Sequence, residues 1–286
     1  MDICNFDLAS EIDANLIKNT IWSMLRHSEK RLLAAYMETM TVVNQFDTLC
    51  VWDTLQELCI VVTGSVALVE CDKWSDIDID CYFAGNKDAC QQIKSHFICP
   101  VRSALKTRHN YESDFLEPAP LSNISLELQA NYPNYDIVGK GLLGSICIFT
   151  RNESKEVLNK VRQDASAEKF IKYATDLASH KETQAVRRPA KRTVGDFKSI
   201  RNWFSTSVRS LLIYYIGISE NVQQPFWRCI MMLKTHLLPE KWQIFRDHML
   251  WIIRGYNQED SDTQDKAYEA AFVTYRYVIL CTKSTA

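Results

Sequence analysis

Glycine and proline are scarce in this chain, eight and seven among 286 residues, which excludes collagen-like, low-complexity and linker-dominated architectures. No charge of one sign dominates either. The formal net charge of -2 gives no global argument for a polyanionic partner, because non-specific nucleic-acid binding shows itself as a strongly basic face. The ten cysteines and six histidines contain no C-x-x-C pair and no cluster at zinc spacing, and the series Cys81, Cys90, Cys99 fits no ligand pattern. The residues from Met1 onward lack the basic and apolar regions of a signal peptide. The longest apolar run, Leu211 to Ile216, falls far short of the roughly 20 residues that span a bilayer. With 47% hydrophobic and 24% charged residues, the chain reads as a packed cytoplasmic protein with reduced thiols and no membrane partner. Its length suits one large domain or two of ordinary size.

Hydrophobic periodicity divides the chain near residue 153. From Ile17 to about Phe46, apolar residues recur at helical spacing (Ile17, Ile21, Met24, Leu25, then Leu32, Leu33, Tyr36, Met37, Met40) and predict two amphipathic helices packed through that face. Leu58 to Val62 and Ile77 to Phe83 read as short strands, with a helical stretch at Lys87 to Phe97. Asn123 to Gln129 alternates strictly, so that Ile124, Leu126 and Leu128 face one way and Ser125, Glu127 and Gln129 the other. Gly144 to Phe149 is a further strand. From Ser154 the pattern is helical: Ser154 to Lys181, Val194 to Ile218, Pro225 to Leu238, Glu240 to Tyr256 and Ser261 to Cys281, the signature of an antiparallel bundle. The expected fold is therefore an α/β (α+β) domain with a mixed sheet over residues 1–153, followed by an all-α helical bundle over 154–286. There is no internal repeat.

The stretch that carries chemistry runs from Gly64-Ser65 to Ser75-Asp76-Ile77-Asp78. Side chains alternate on a strand, so Asp76 and Asp78 share one face while Ile77 and Ile79 point into the core. Carboxylates crowded on one face repel unless a cation neutralises them, and hard oxygen ligands suit magnesium or manganese. Gly64 and Ser65, at a strand end before a turn, can bring backbone N–H groups and a hydroxyl to a phosphate.

A Gly-Ser pair, ten residues of which the last is serine, then Asp-x-Asp resembles the signature of the nucleotidyltransferase superfamily related to DNA polymerase β. In particular it is similar to the minimal and aminoglycoside nucleotidyltransferases, which join such a core to a C-terminal helical bundle. The resemblance covers residues 55 to 150 at the level of motifs. It implies that Gly64, Ser65 and Ser75 belong to the triphosphate site, that Asp76 and Asp78 ligate Mg2+ or Mn2+, and that a later strand supplies a third carboxylate. Glu127 is the best match, as metal ligand or as general base; Asp80 and Asp136 rank below it. The implied chemistry is in-line displacement at the α-phosphorus, moving AMP from ATP to an acceptor hydroxyl with pyrophosphate leaving.

Three readings stay open on the residues alone. The acceptor is a small hydroxylated molecule of the aminoglycoside type, with the helical domain forming the other wall of its cleft; or it is an RNA 3′ end or a protein hydroxyl, which the basic run Arg187, Arg188, Lys191 and Arg192 would favour. The same run serves equally well as a solvated linker. Relatives carry a basic residue and a glycine shortly after Gly-Ser, where this chain has Leu68 and Val69. That departure motivates the third reading, a nucleotide-binding regulator without turnover. Trp203, Phe204, Tyr214, Tyr215, Phe226 and Trp227 lie on helical stripes and are expected in the core.

Overall fold

The computed structural model describes residues 11–123, 144–151, 194–217, 223–256 and 260–283. The chain divides into two compact units, one of Met24–Ala165 and one of Met1–Ser23 with Ser166–Ala286. Their boundary falls inside the first helix, α1, Glu11–Val43. Among the described residues no helix is long and apolar enough to cross a membrane.

A five-stranded mixed sheet builds the first unit. Strands β1 (Leu55–Thr63) and β2 (Ile77–Gly85) pair antiparallel, and β5 (Ile146–Arg151) pairs antiparallel with the other edge of β1. Two short strands, β3 (Ser113–Phe115) and β4 (Ala119–Pro120), lie parallel to β2 along its outer edge. The order is β3-β2-β1-β5, with β4 beside β3's strand partner β2. The run Leu58 to Val62 is buried on both faces, as its unbroken apolar sequence requires of a central strand. A short helix α2, Gly64–Ala67, leads out of β1.

The helical segment after β2 is longer than its sequence suggests: α3 (Ala89–Ile93), a π-turn over Lys94–Ile98 and α4 (Cys99–His109) follow one another without a break. Pro100 has no N–H and would collide with the preceding turn of a regular helix; one wide turn before it lets the helix continue. Asn110, in the left-handed region at φ 54°, ends it.

The amino-terminal helix departs from expectation in two respects. The predicted pair is one continuous helix, because the polar stretch Arg26 to Arg31 contains neither glycine nor proline to break it. In its second half the buried stripe is Ser28, Arg31, Ala35, Glu38 and Val42, whereas Leu33, Tyr36 and Met37 are exposed. Small Ala34 and Ala35 enter the core of the sheet unit, and buried Glu38 accepts from Arg108 Nη1 at 3.0 Å and His109 Nε2 at 2.9 Å, in the last turn of α4, although the buried Thr39 hydroxyl beside it makes no hydrogen bond among the described residues. Satisfied hydrogen bonds let a polar stripe, rather than the apolar one beside it, face inward.

In the second unit, α5 (Val194–Ile216), α6 (Phe226–Leu233), α7 (Pro239–Gly255) and α8 (Ser261–Lys283) pack together. Trp203 lies at their centre against the rings of Tyr268, Phe272 and Tyr275. Phe204, Phe226 and Trp227 are buried as expected; Tyr214 and Tyr215 are half-exposed. Pro225 and Pro239 stand at the starts of α6 and α7, where a missing N–H costs nothing. Residues 154–181, read as a helix, and the basic run Arg187 to Arg192 lie outside the described residues.

Candidate functional site

The Gly-Ser turn and the Asp-x-Asp segment meet at one end of the β1–β2 pair. Across it Thr63 faces Asp78, Val62 faces Ile79 and Val61 faces Asp80. The chain thus leaves β1 at Gly64 beside the carboxylate of Asp78, the second residue of β2. The approach is close: a Cβ on Gly64 would lie 2.0 Å from Asp78 Oδ2, a distance no real side chain tolerates. Gly64 also sits at φ +63°. Both facts favour glycine there: a side chain would be strained and would push the Asp78 carboxylate aside.

Alternation along β2 is as the sequence implies. Ile77 and Ile79 are fully buried, while Asp76 and Asp78 are half-exposed on the other face. Asp80 differs: it is only 2% exposed, and its Oδ2 accepts a hydrogen bond from Thr63 Oγ1 at 3.2 Å. Thr63 and Asp80 form a buried polar pair beneath the mouth of the site.

Past α2 the backbone turns sharply. Val69 adopts φ +60°, a conformation that crowds a β-branched side chain and costs about 1–2 kcal/mol. Leu68 N–H donates to Gly64 O at 3.0 Å, Val69 N–H to Val66 O at 3.2 Å and Glu70 N–H to Ser65 O at 2.8 Å. These bonds close the turn over Gly64 and Ser65 and hold Val69 in its strained pose. The left-handed turn is therefore made here without glycine. Leu68 meets Gly144, where a Cβ would come within 2.5 Å of Leu68 Cδ2.

The segment between Glu70 and Asp76 is tied to α1. Ser28 Oγ accepts from Cys71 N–H at 3.3 Å. Arg31 Nε donates to Ser75 O at 2.8 Å and Arg31 Nη2 to Lys73 O at 3.0 Å. Within the loop, Asp72 Oδ1 accepts from Trp74 N–H at 2.8 Å and from Ser75 Oγ at 3.0 Å, and Ser75 Oγ accepts from Asp72 N–H. The Ser75 hydroxyl is thus engaged in shaping the loop. Ser65 Oγ makes a weak contact with Cys71 Sγ at 3.6 Å.

The structure accordingly brings Gly64, Ser65, Asp76 and Asp78 to one end of the sheet. Among the described residues no group of three or more His, Cys, Asp or Glu side chains is gathered to hold a metal; Glu127 and Asp136 lie outside the described residues, and so does the alternating strand from residue 124. Asn123, read as the first residue of that strand, is instead helical together with Leu121 and Ser122. Sequence reasoning missed Ser28, Arg31 and Thr63. The first two carried a legible signal, since polar residues repeat there in the helical register of Ala35 and Val42. The chain matches no protein-family model, and it shows no significant similarity to any curated protein.

Proposed function

We propose that this protein is a metal-dependent nucleotidyltransferase that moves a nucleoside monophosphate, AMP from ATP, to an acceptor hydroxyl. The observation that carries the reading is the seat of the Asp78 carboxylate against the bare Cα of Gly64, across the Thr63–Asp78 register. It joins the two halves of the sequence motif at one point. A fold that merely exposed two aspartates on a strand would have no reason to press one of them onto a glycine.

The residues fit a divalent ion. Asp76, just before β2, and Asp78 within it offer hard oxygen donors at the mouth of the sheet, and such donors select Mg2+ or Mn2+ over softer metals; Glu127 is our candidate for the third carboxylate. When bound, the ion neutralises the triphosphate and polarises the phosphorus under attack. Gly64 and Ser65 orient the phosphates through main-chain N–H groups and the Ser65 hydroxyl, whose weak contact with Cys71 a phosphate oxygen readily replaces. Ser75 acts within the loop rather than on phosphate. Glu127 either completes the metal set or takes the acceptor's proton.

The strained turn at Val69 supports an operating site over a degenerate one. Backbone strain persists where the surroundings impose it, and it clusters at sites that bind or react. The favoured acceptor is a small hydroxylated molecule.

Calorimetric titration of the four NTPs with Mg2+ and with EDTA, into wild type and into Asp76→Ala/Asp78→Ala, tests the proposal. Metal-dependent binding lost in the double variant, with pyrophosphate released once an acceptor is supplied, is the expected result. Binding without turnover across a broad acceptor panel would favour the regulator, and no binding in wild type would overturn the reading.

A further inference from the structure

We infer that Arg31 is a positioning residue for the Asp76–Asp78 pair, an inference that rests on the nucleotidyltransferase reading. Arg31 is 3% exposed, and its guanidinium plane is covered by the Tyr111 ring at 4.9 Å. Its short hydrogen bonds run to the carbonyl oxygens of Ser75 and Lys73, at 2.8 and 3.0 Å. The remaining edge turns to its own helix, where Nη1 lies 3.4 Å from both His27 O and His27 Nδ1. Burial lowers the His27 pKa and the Arg31 charge lowers it further, which favours the neutral form of the ring. Burying a permanent cation is unfavourable unless its donors are matched. A loop that needed only one tether would be held by a serine, as Ser28 holds Cys71.

What the fork fixes is specific. The Ser75 carbonyl belongs to the planar peptide that joins Ser75 to Asp76, so holding that oxygen holds the nitrogen and Cα of Asp76. On the other side Ile77 N–H donates to Glu112 O at 3.0 Å, which fixes the peptide joining Asp76 to Ile77. Both planes that flank Asp76 are tied, and the direction of its Cα–Cβ bond, from which the carboxylate projects, follows. A planar fork grips carbonyls two residues apart with a preset geometry that an ammonium, whose three donors radiate from one nitrogen, does not reproduce. Arg31 touches no reacting atom. It acts through Asp76.

The test compares wild type, Arg31→Lys, Ser28→Ala and Asp78→Asn by Mn2+ titration under electron paramagnetic resonance, without nucleotide, alongside thermal unfolding. Arg31→Lys keeps the charge and loses the fork; it should bind Mn2+ about 10- to 100-fold more weakly, the range for residues that orient a ligand, with turnover recovering at high Mn2+. Ser28→Ala loosens the same loop away from Asp76 and should lower the unfolding temperature while leaving Mn2+ affinity unchanged. Should Arg31→Lys fail to fold, Tyr111→Leu uncovers the guanidinium and should lower Mn2+ affinity in the same direction. Wild-type affinity in the variant that folds, or an equal loss in Ser28→Ala, overturns the positioning role alone. Wild-type Mn2+ binding that ignores Asp78→Asn overturns the metal site itself, and this inference with it.

Discussion

Replacing Gly64 by alanine adds one methyl group at the point where the two halves of the site touch. Its Cβ would stand 2.0 Å from Asp78 Oδ2 and 3.1 Å from Asp78 Cγ. Contacts under 3.0 Å do not occur, so the carboxylate oxygen must retreat by about 1 Å, against a tolerance of roughly 0.2 Å for a metal ligand. Alanine at φ +63° also carries a backbone cost of about 1–2 kcal/mol, or roughly 2–8 °C of unfolding temperature for a unit of this size. Disturbing a residue that only orients a ligand weakens metal binding about 10- to 100-fold; displacing the ligand itself should exceed about 100-fold. Mn2+ titration is the assay, and Gly85→Ala is the control. Gly85 lies at the other end of β2, where a Cβ would meet Thr54 O at 2.4 Å and Ala89 Cβ at 2.7 Å. That variant should lose stability and keep its Mn2+ affinity. A Gly64→Ala protein that binds Mn2+ as wild type does, or a Gly85→Ala protein that loses affinity equally, would refute the reasoning.

Val69→Gly relieves the left-handed strain at φ +60° but frees the unfolded chain, so chemical denaturation should show no loss and a gain of up to about 1 kcal/mol; a loss above about 1 kcal/mol would mean that valine's packing outweighs its strain. Burial lowers His248 to about 4, with Asp247 opposing weakly, and its ring lies 3.0 Å from the buried Thr274 hydroxyl. Between pH 6.5 and 4 the unfolded chain holds the extra proton, so stability present above pH 6.5 drains away as pH falls, by at most about 3 kcal/mol. Denaturation of His248→Gln over that range should be flatter than wild type by that amount, and parallel curves would show that His248 titrates normally. Gly255→Ala drives a Cβ to 2.1 Å from Phe197 Cε2 and should cost about 1–3 kcal/mol by overpacking, read as a lower unfolding midpoint; an unchanged midpoint would mean that the Phe197 ring swings aside freely.

The sequence by itself determined the elements whose periodicity is strong and whose surroundings demand it. Leu58 to Val62 is an apolar run too short for a buried helix and bounded by Thr63-Gly64, and it became the central strand. The alternation of Ile77 and Ile79 with Asp78 became the buried and half-exposed positions at the start of β2, because a strand repeats every two residues wherever it lies. The prolines at 225 and 239 marked helix starts by the same local chemistry. Tertiary structure decided what local patterns cannot carry. In the second half of α1 two stripes were available, and the more hydrophobic one, Leu33, Tyr36 and Met37, faces outward. The helix turned to the stripe whose polar groups the loop at Lys73 and Ser75 and the end of α4 could satisfy, and whose alanines let it approach the sheet. Strands β3 and β4 are too short to show a period and exist only because β2 offers an edge. The contact of Gly64 with Asp78 depends on the register of two strands, which no single stretch of chain encodes. Neither does the grip of Arg31, on carbonyls more than 40 residues away, nor the strain at Val69, a pose the chain takes only because the bonds around Gly64 and Ser65 impose it.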